Sequence, residues 1–114
     1  MLIVKDRVPL AEIAAMAERM FGDFVKAVVD VNREVMALDA GLHADEEAAL
    51  LEEGSQQEDL WGINLYPQSY GSEGWLEFDS LINLRPTQNN RTRGVDDPRI
   101  RERISLVVDK LVAK

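Results

Sequence analysis

Apolar residues recur at helical spacing in three stretches of the chain. In residues 9 to 21 they lie three or four positions apart and Gly22 follows, which predicts an amphipathic helix. Residues 43 to 54 have an acidic first turn and a closing glycine, typical of a short helix, and their narrow apolar side predicts that it lies on the surface. The segment that begins at Asp96-Asp97-Pro98 carries an apolar stripe to Lys114, so we predict a final helix there.

Strands are predicted between these helices. Leu2 to Val4 is a short apolar run, and residues 24 to 31 are rich in β-branched side chains. Residues 34 to 38 fit a further strand, paired through a turn at Asn32-Arg33, but their apolar spacing also fits a helix. The sequence leaves this choice open.

A hairpin is predicted between residues 60 and 85, and its register follows from its two patterns. Because a slip of one residue would exchange the faces of a strand, the favoured register pairs apolar residues with each other. The core is then expected to include Ile82, while Asn83 and Arg85 lie on the outer face. The pairs are, on the core side, Leu65–Leu76, Ile63–Phe78 and Trp61–Ser80 and, on the outer side, Asn64–Glu77, Gly62–Asp79 and Tyr66–Trp75.

The elements follow one another in the order β-α-β-β-α-β-β-α. This order favours an α+β fold, with a mixed, mainly antiparallel sheet and helices packed on one face, over a doubly wound fold. The 114 residues suffice for one ordinary core, so we predict a single domain, residues 1–114.

Charge is distributed unevenly along the chain, whose net charge is −8. No Lys or Arg occurs between Arg33 and Arg85, whereas the segment that begins with Arg85 and ends with Arg103 contains six arginines, these two included. Without a contiguous basic face, non-specific nucleic-acid binding is not expected. The acidic second helix and the basic segment are expected to face each other, or a second copy of the chain in a homodimer.

Composition excludes several classes of protein. The absence of Cys excludes disulfides, thiolate metal sites, iron–sulfur clusters and Cys nucleophiles. No apolar run approaches the roughly 20 residues that a membrane span needs, and charge at Lys5 and Asp6 is unlike a secretory signal. We therefore expect a cytoplasmic protein with no membrane partner.

Three strings of the sequence carry a family resemblance: VKAVVDV (25–31), LHADEEAALLEEGSQQEDLWGINLYP (42–67) and FDSLINLRPTQNNRTRGVDDP (78–98). They resemble a family of small bacterial proteins catalogued as domain of unknown function 5674, and the resemblance covers nearly the whole chain. It implies no activity. One departure is Asn89-Asn90, where the family pattern has Gly-Asn, so a slightly different backbone path is expected there. By resemblance the motif positions are His43, Asp45, Glu46, Gly54, Ser55, Asp59, Trp61, Gly62, Asn64, Tyr66, Pro67, Asn83, Arg85, Pro86, Asn90 and Arg91.

A divalent-metal site is one hypothesis for the start of the second predicted helix. His43, the only histidine, is followed by Asp45 and Glu46, and Asp79 of the sheet would complete a ligand set of imidazole and carboxylates. The corresponding function is a metal-dependent hydrolase or nuclease. In the alternative interpretation, Glu46 reaches back in a capping box and the acids favour the helix dipole.

An anion-binding pocket is the second hypothesis. Arg presents a planar fork that suits carboxylate or phosphate, and Asn amides orient polar ligands. Alternatively, the arginines pair with acidic residues and the Asn side chains hold loop backbone in place. The residues concerned are Asn64, Tyr66, Asn83, Arg85, Asn90 and Arg91.

No catalytic or cofactor signature is specific enough to name a reaction. The leading hypothesis is a binding or regulatory module whose polar pocket accepts a small anionic ligand, with the metal-dependent enzyme as its alternative. Trp75 and Tyr66 on the outer face of the hairpin would form an aromatic patch, which suggests a homodimeric protein-interaction module as a third hypothesis.

Overall fold

The computed structural model describes all 114 residues as one α+β domain. None of its three helices combines the length and the apolar character that crossing a bilayer requires. Seven strands and three helices follow one another along the chain. The elements are β1 (Leu2–Val4), β2 (Val8–Pro9), α1 (Leu10–Arg19), β3 (Val25–Asp30), β4 (Val35–Leu38), α2 (His43–Glu52), β5 (Leu60–Leu65), β6 (Leu76–Glu77), α3 (Pro98–Leu111) and β7 (Val112–Ala113).

Five strands form the main sheet, in the order β1-β4-β3-β5-β6, and each neighbouring pair is antiparallel. Strand β4 pairs with both β1 and β3, so residues 34 to 38 contribute a strand and not a helix. The turn before it spans residues 31 to 34 and not two residues. Asp30 Oδ1 accepts hydrogen bonds from the backbone N–H groups of Asn32 and Arg33, at 2.9 and 2.8 Å, and this stabilises the turn without a glycine.

Helices cover both faces of the sheet, which corrects the prediction that they pack on one face. Helices α1 and α3 pack on the face that carries Ala27 and Val29, whereas α2 packs through Leu50 on the face that carries Val28. The reason is that β3 is a continuous apolar run whose two faces both need cover. The buried side of α2 consists of His43, Glu46 and Leu50. Because two of these three residues are polar, the pattern of apolar residues did not reveal that this side of the helix is buried.

The predicted hairpin register is confirmed where β5 and β6 pair, since Asn64 lies opposite Glu77 and Leu65 opposite Leu76. The second arm, however, ends as a strand after Glu77. Ser80 Oγ accepts the N–H of Ile82 and begins a 3₁₀ turn over Leu81–Asn83. As a result Ile82 packs on the α2 side, with Leu50 and Leu60, and not in the core with Trp61 as expected.

A side chain continues the sheet edge where β6 stops. Asn83, which is fully buried, accepts the N–H of Gly62 at 2.8 Å and donates to the carbonyl oxygen of Gly62 at 3.0 Å. Its amide therefore makes the two hydrogen bonds that a backbone partner would have made.

A second, two-stranded sheet was not predicted from the sequence. Strands β2 and β7 pair in parallel, with Val8 opposite Val112. Each strand has only two residues, which is too short for an alternating pattern to be visible.

Candidate functional site

A cleft of about 310 Å³ lies on the α2 face of the sheet, beside the first turn of α2. Its walls come from five parts of the chain: strand β3, the start of α2, strand β5, the segment 79 to 82, and the loop before α3. The polar residues of the wall are Lys26, His43, Asn64, Asp79, Ser80 and Arg93, and the apolar ones are Phe24, Leu42, Ala44, Leu81 and Ile82.

His43 is held in one orientation and one tautomer. Its Nε2 lies 2.7 Å from the carbonyl oxygen of Ile63, and because a carbonyl oxygen only accepts, Nε2 carries the proton. Burial lowers the pKa of His43, the hydrogen bond to Ile63 opposes this shift, and the charge of Lys26 adds to it. At neutral pH the imidazole is therefore uncharged, and its Nδ1 is an acceptor with no hydrogen-bond partner in the protein.

Asn64 presents a second acceptor without a hydrogen-bond partner in the protein. Its Nδ2 donates to Glu77 Oε1 at 2.8 Å and approaches the carbonyl oxygen of Asp79 at 3.4 Å. Both neighbours are acceptors, so the orientation of the amide is fixed. The remaining atom, Oδ1, is buried and has no partner, an arrangement that costs about 1–3 kcal/mol.

The charges on the cleft wall do not cancel. Arg93 Nε is 2.8 Å from Asp79 Oδ1, whereas no arginine of the basic segment forms an ion pair with the acidic helix α2. Lys26 has no carboxylate partner, and its Nζ lies 5.2 Å from the centroid of the Phe21 ring. Lys26 therefore leaves one uncompensated positive charge in the cleft wall.

The four predicted metal ligands do not converge. His43 and Asp79 both line the cleft, but Asp45 is exposed on α2. Glu46 is fully buried and accepts the N–H of Ala40 at 3.0 Å, so it does not form a capping box at the start of α2 either. Burial raises the pKa of Glu46 to about 9, which keeps this carboxyl neutral. No three His, Asp or Glu side chains form a group that could hold a metal ion.

Arg85 is a structural residue, although it belongs to the predicted anion site. Its guanidinium donates to the carbonyl oxygens of Ile82, Gln57 and Leu60 and lies 4.2 Å from the centroid of the Trp61 ring. These contacts engage all three nitrogen atoms and one face of the guanidinium, and the residue does not line the cleft.

The other predicted ligand residues fall into two groups. Asn83 and Asn90 are buried, and their side-chain amides are hydrogen-bonded to backbone groups. Asn90 Nδ2 donates to the carbonyl oxygens of Asn83 and Gly94, and its Oδ1 accepts the N–H of Asp96. Arg91 is exposed and lies outside the cleft. Of the six predicted ligand residues, only Asn64 lines the cleft. The hydroxyl of Tyr66 donates at 3.1 Å to Glu77 Oε1, the atom that also accepts from Asn64 Nδ2.

The aromatic patch expected from Trp75 and Tyr66 is not formed. Trp75 is 7% exposed and belongs to the main core, where its ring meets Tyr70 edge-on. The reason is that Trp75 ends a 3₁₀ turn, Glu73–Trp75, and does not lie in the extended arm of a hairpin.

Sequence reasoning missed the two cations of the cleft, Lys26 and Arg93, and the leucines of its rim. One signal was available for Lys26: it is the only charged residue within the apolar run from Phe24 to Val29. No sequence pattern singles out Arg93 among the arginines of its loop.

The comparison with protein families agrees with the resemblance noted in the sequence. A family model described as "Protein of unknown function (DUF5674)" matches residues 2–111. The chain belongs to this family. No curated protein and no solved structure matches the DUF5674 chain.

Proposed function

We propose that this protein binds a small anionic ligand in the cleft beside His43, with the anionic group next to Lys26. The observation that carries the proposal is that Lys26 brings a positive charge to the cleft wall without a carboxylate partner. A carboxylate or phosphate group bound beside this ammonium group would form a charge-assisted hydrogen bond with it.

The size and lining of the cleft support a small molecule as the ligand. Its volume of about 310 Å³ is at the lower end of the range of ligand pockets. Its wall combines apolar side chains with a few polar groups held in fixed positions, and His43 and Asn64 are each fixed by a hydrogen bond of 2.7 or 2.8 Å. Fixed groups of this kind lose little entropy when a ligand binds.

The single histidine gives a direct test of this proposal. We would titrate the protein with acetate, phosphate and sulfate at pH 7.5 and constant ionic strength and follow the imidazole resonance of His43 by NMR. We expect a saturable shift with at least one of these anions. Lys26→Met should weaken binding about tenfold or more, because a hydrogen bond to a charged group contributes about 1.5–3 kcal/mol.

Arg91→Met is the matched control, since it removes one positive charge from an exposed position outside the cleft. We expect it to change the dissociation constants less than twofold. The proposal fails if no anion shifts the His43 resonance in a saturable way, or if the two variants weaken binding equally.

A further inference from the structure

We infer that the ligand is a small amphiphilic acid, with an O–H or N–H donor close to its anionic group and an apolar body. This inference rests on the proposed function and adds the chemical class of the ligand. Two independent features of the cleft carry it: a pair of acceptors that have no hydrogen-bond partner in the protein and a pair of exposed leucines.

The acceptors are His43 Nδ1 and Asn64 Oδ1. Neither has a hydrogen-bond partner in the protein, while the donor atoms of the same two side chains are already bound, Nε2 to the carbonyl oxygen of Ile63 and Nδ2 to Glu77 Oε1. A ligand that supplied only acceptors would make no hydrogen bond to either atom. A ligand hydroxyl or amino group would donate to His43 Nδ1, which is not among the buried unpaired atoms and is therefore accessible.

The leucines are Leu42, at the N-cap of α2, and Leu81, in the 3₁₀ turn. Both line the cleft, and they are 57% and 66% exposed. Large apolar side chains at the mouth of a polar cleft are covered favourably by an apolar part of the ligand. Sulfate would meet Lys26 but offers neither a donor nor an apolar body.

Four carboxylates test the two features separately. Acetate carries only the anionic group, glycolate adds a hydroxyl, phenylacetate adds a ring, and mandelate, measured as separate enantiomers, adds both. Dissociation constants would be measured at pH 7.5 from the backbone amide resonance of Ala44, which lines the cleft. We expect the hydroxyl to improve binding about fivefold in both pairs, which corresponds to one hydrogen bond of about 1 kcal/mol. The ring should give a gain of at least the same size.

Two variants assign these gains to residues. In His43→Gln the side-chain amide can still donate to the carbonyl oxygen of Ile63, but no acceptor remains at the position of Nδ1, so the gain from the hydroxyl should shrink to less than twofold. Leu81→Ala should reduce the gain from the ring and leave the gain from the hydroxyl intact. Because Leu81 is exposed, this variant is expected to fold.

The wild-type series decides the inference even without the variants. Equal affinities with and without the hydroxyl, or with and without the ring, overturn the inference and leave anion binding in place. Full discrimination retained by His43→Gln also overturns the role of Nδ1. If none of the four carboxylates binds, the inference is wrong, whereas the proposed function is wrong only if phosphate and sulfate do not bind either.

Discussion

Gly62 packs directly against Ser80: a Cβ atom at position 62 would lie 2.5 Å from the Cβ and 2.6 Å from the Oγ of Ser80. This close approach brings the segment that follows β6 against β5 and lets the Asn83 amide reach both the N–H and the carbonyl group of Gly62. Only a residue without a side chain fits there. The contact thus fixes the position of the chain segment that forms one wall of the cleft.

Gly62→Ala should therefore destabilise the protein. The added methyl group meets the Cβ of Ser80, which is not the movable end of a flexible side chain, so the segment must shift. We expect the free energy of unfolding to fall by about 1–3 kcal/mol, as measured by denaturant titration. Gly41→Ala is the control, because nothing lies within 4 Å of the atom it adds; its change should stay within about 0.5 kcal/mol. Equal stabilities of the two variants would contradict the prediction.

Glu46→Gln should change how stability depends on pH. The folded protein keeps the proton of Glu46 up to a pKa of about 9, whereas the unfolded chain loses it near the ordinary value of 4.5. Between these two values the folded state binds more protons, so wild-type stability falls as pH rises, by at most about 1.4 kcal/mol per pH unit from this group. Gln does not titrate and can still accept the N–H of Ala40.

We expect the free energy of unfolding of Glu46→Gln, relative to that of the wild type, to rise by about 2 kcal/mol or more between pH 5 and pH 8. The measurement is a series of denaturant titrations at several pH values. Glu52→Gln is an exposed change on the same helix, and its free energy of unfolding should depend on pH in the same way as that of the wild type. A constant difference between Glu46→Gln and the wild type at all pH values would show that Glu46 is not held neutral.

Arg85→Lys should separate stability from ligand binding. Lys keeps the positive charge but cannot make the three backbone hydrogen bonds and the stacking contact with Trp61 at once. We expect a loss of about 2 kcal/mol in the free energy of unfolding and no change in the anion affinities measured at His43. Arg91→Lys should alter neither quantity. If Arg85→Lys had the stability of the wild type but bound anions more weakly, Arg85 would belong to the binding site.

The features that the sequence predicted well depend on local periodicity. The register of the hairpin at Leu65 and Leu76 follows from alternation, because a shift by one residue would have placed apolar side chains in water. The last helix is predicted by its cap, Asp97, whose side chain accepts the N–H of Arg99 at 2.9 Å, and by its apolar stripe. In each case the deciding information lies within about a dozen residues.

The features that could not be predicted from the sequence depend on contacts between residues that are far apart in the chain. The side-chain amide of Asn83 makes the hydrogen bonds to Gly62 that a neighbouring strand would otherwise make. Nothing in the sequence around Asn83 distinguishes it from a polar residue on the outer face. Lys26 and Arg93 meet at the cleft although 67 positions separate them, so their joint role becomes visible only in the folded chain. The directions of the α2 side chains decide which of its residues line the cleft, and these directions depend on how the helix packs against the sheet.

The parallel pair of β2 and β7 has a consequence for the order of folding. Val8 and Val112 are separated by most of the sequence, and joining them closes a very long loop, which costs conformational entropy. Helix α3 leads directly into β7, so the pair can form only once that helix has packed against the sheet. We therefore expect the strand that precedes α1 to be among the last parts of the molecule to become protected from hydrogen exchange during refolding.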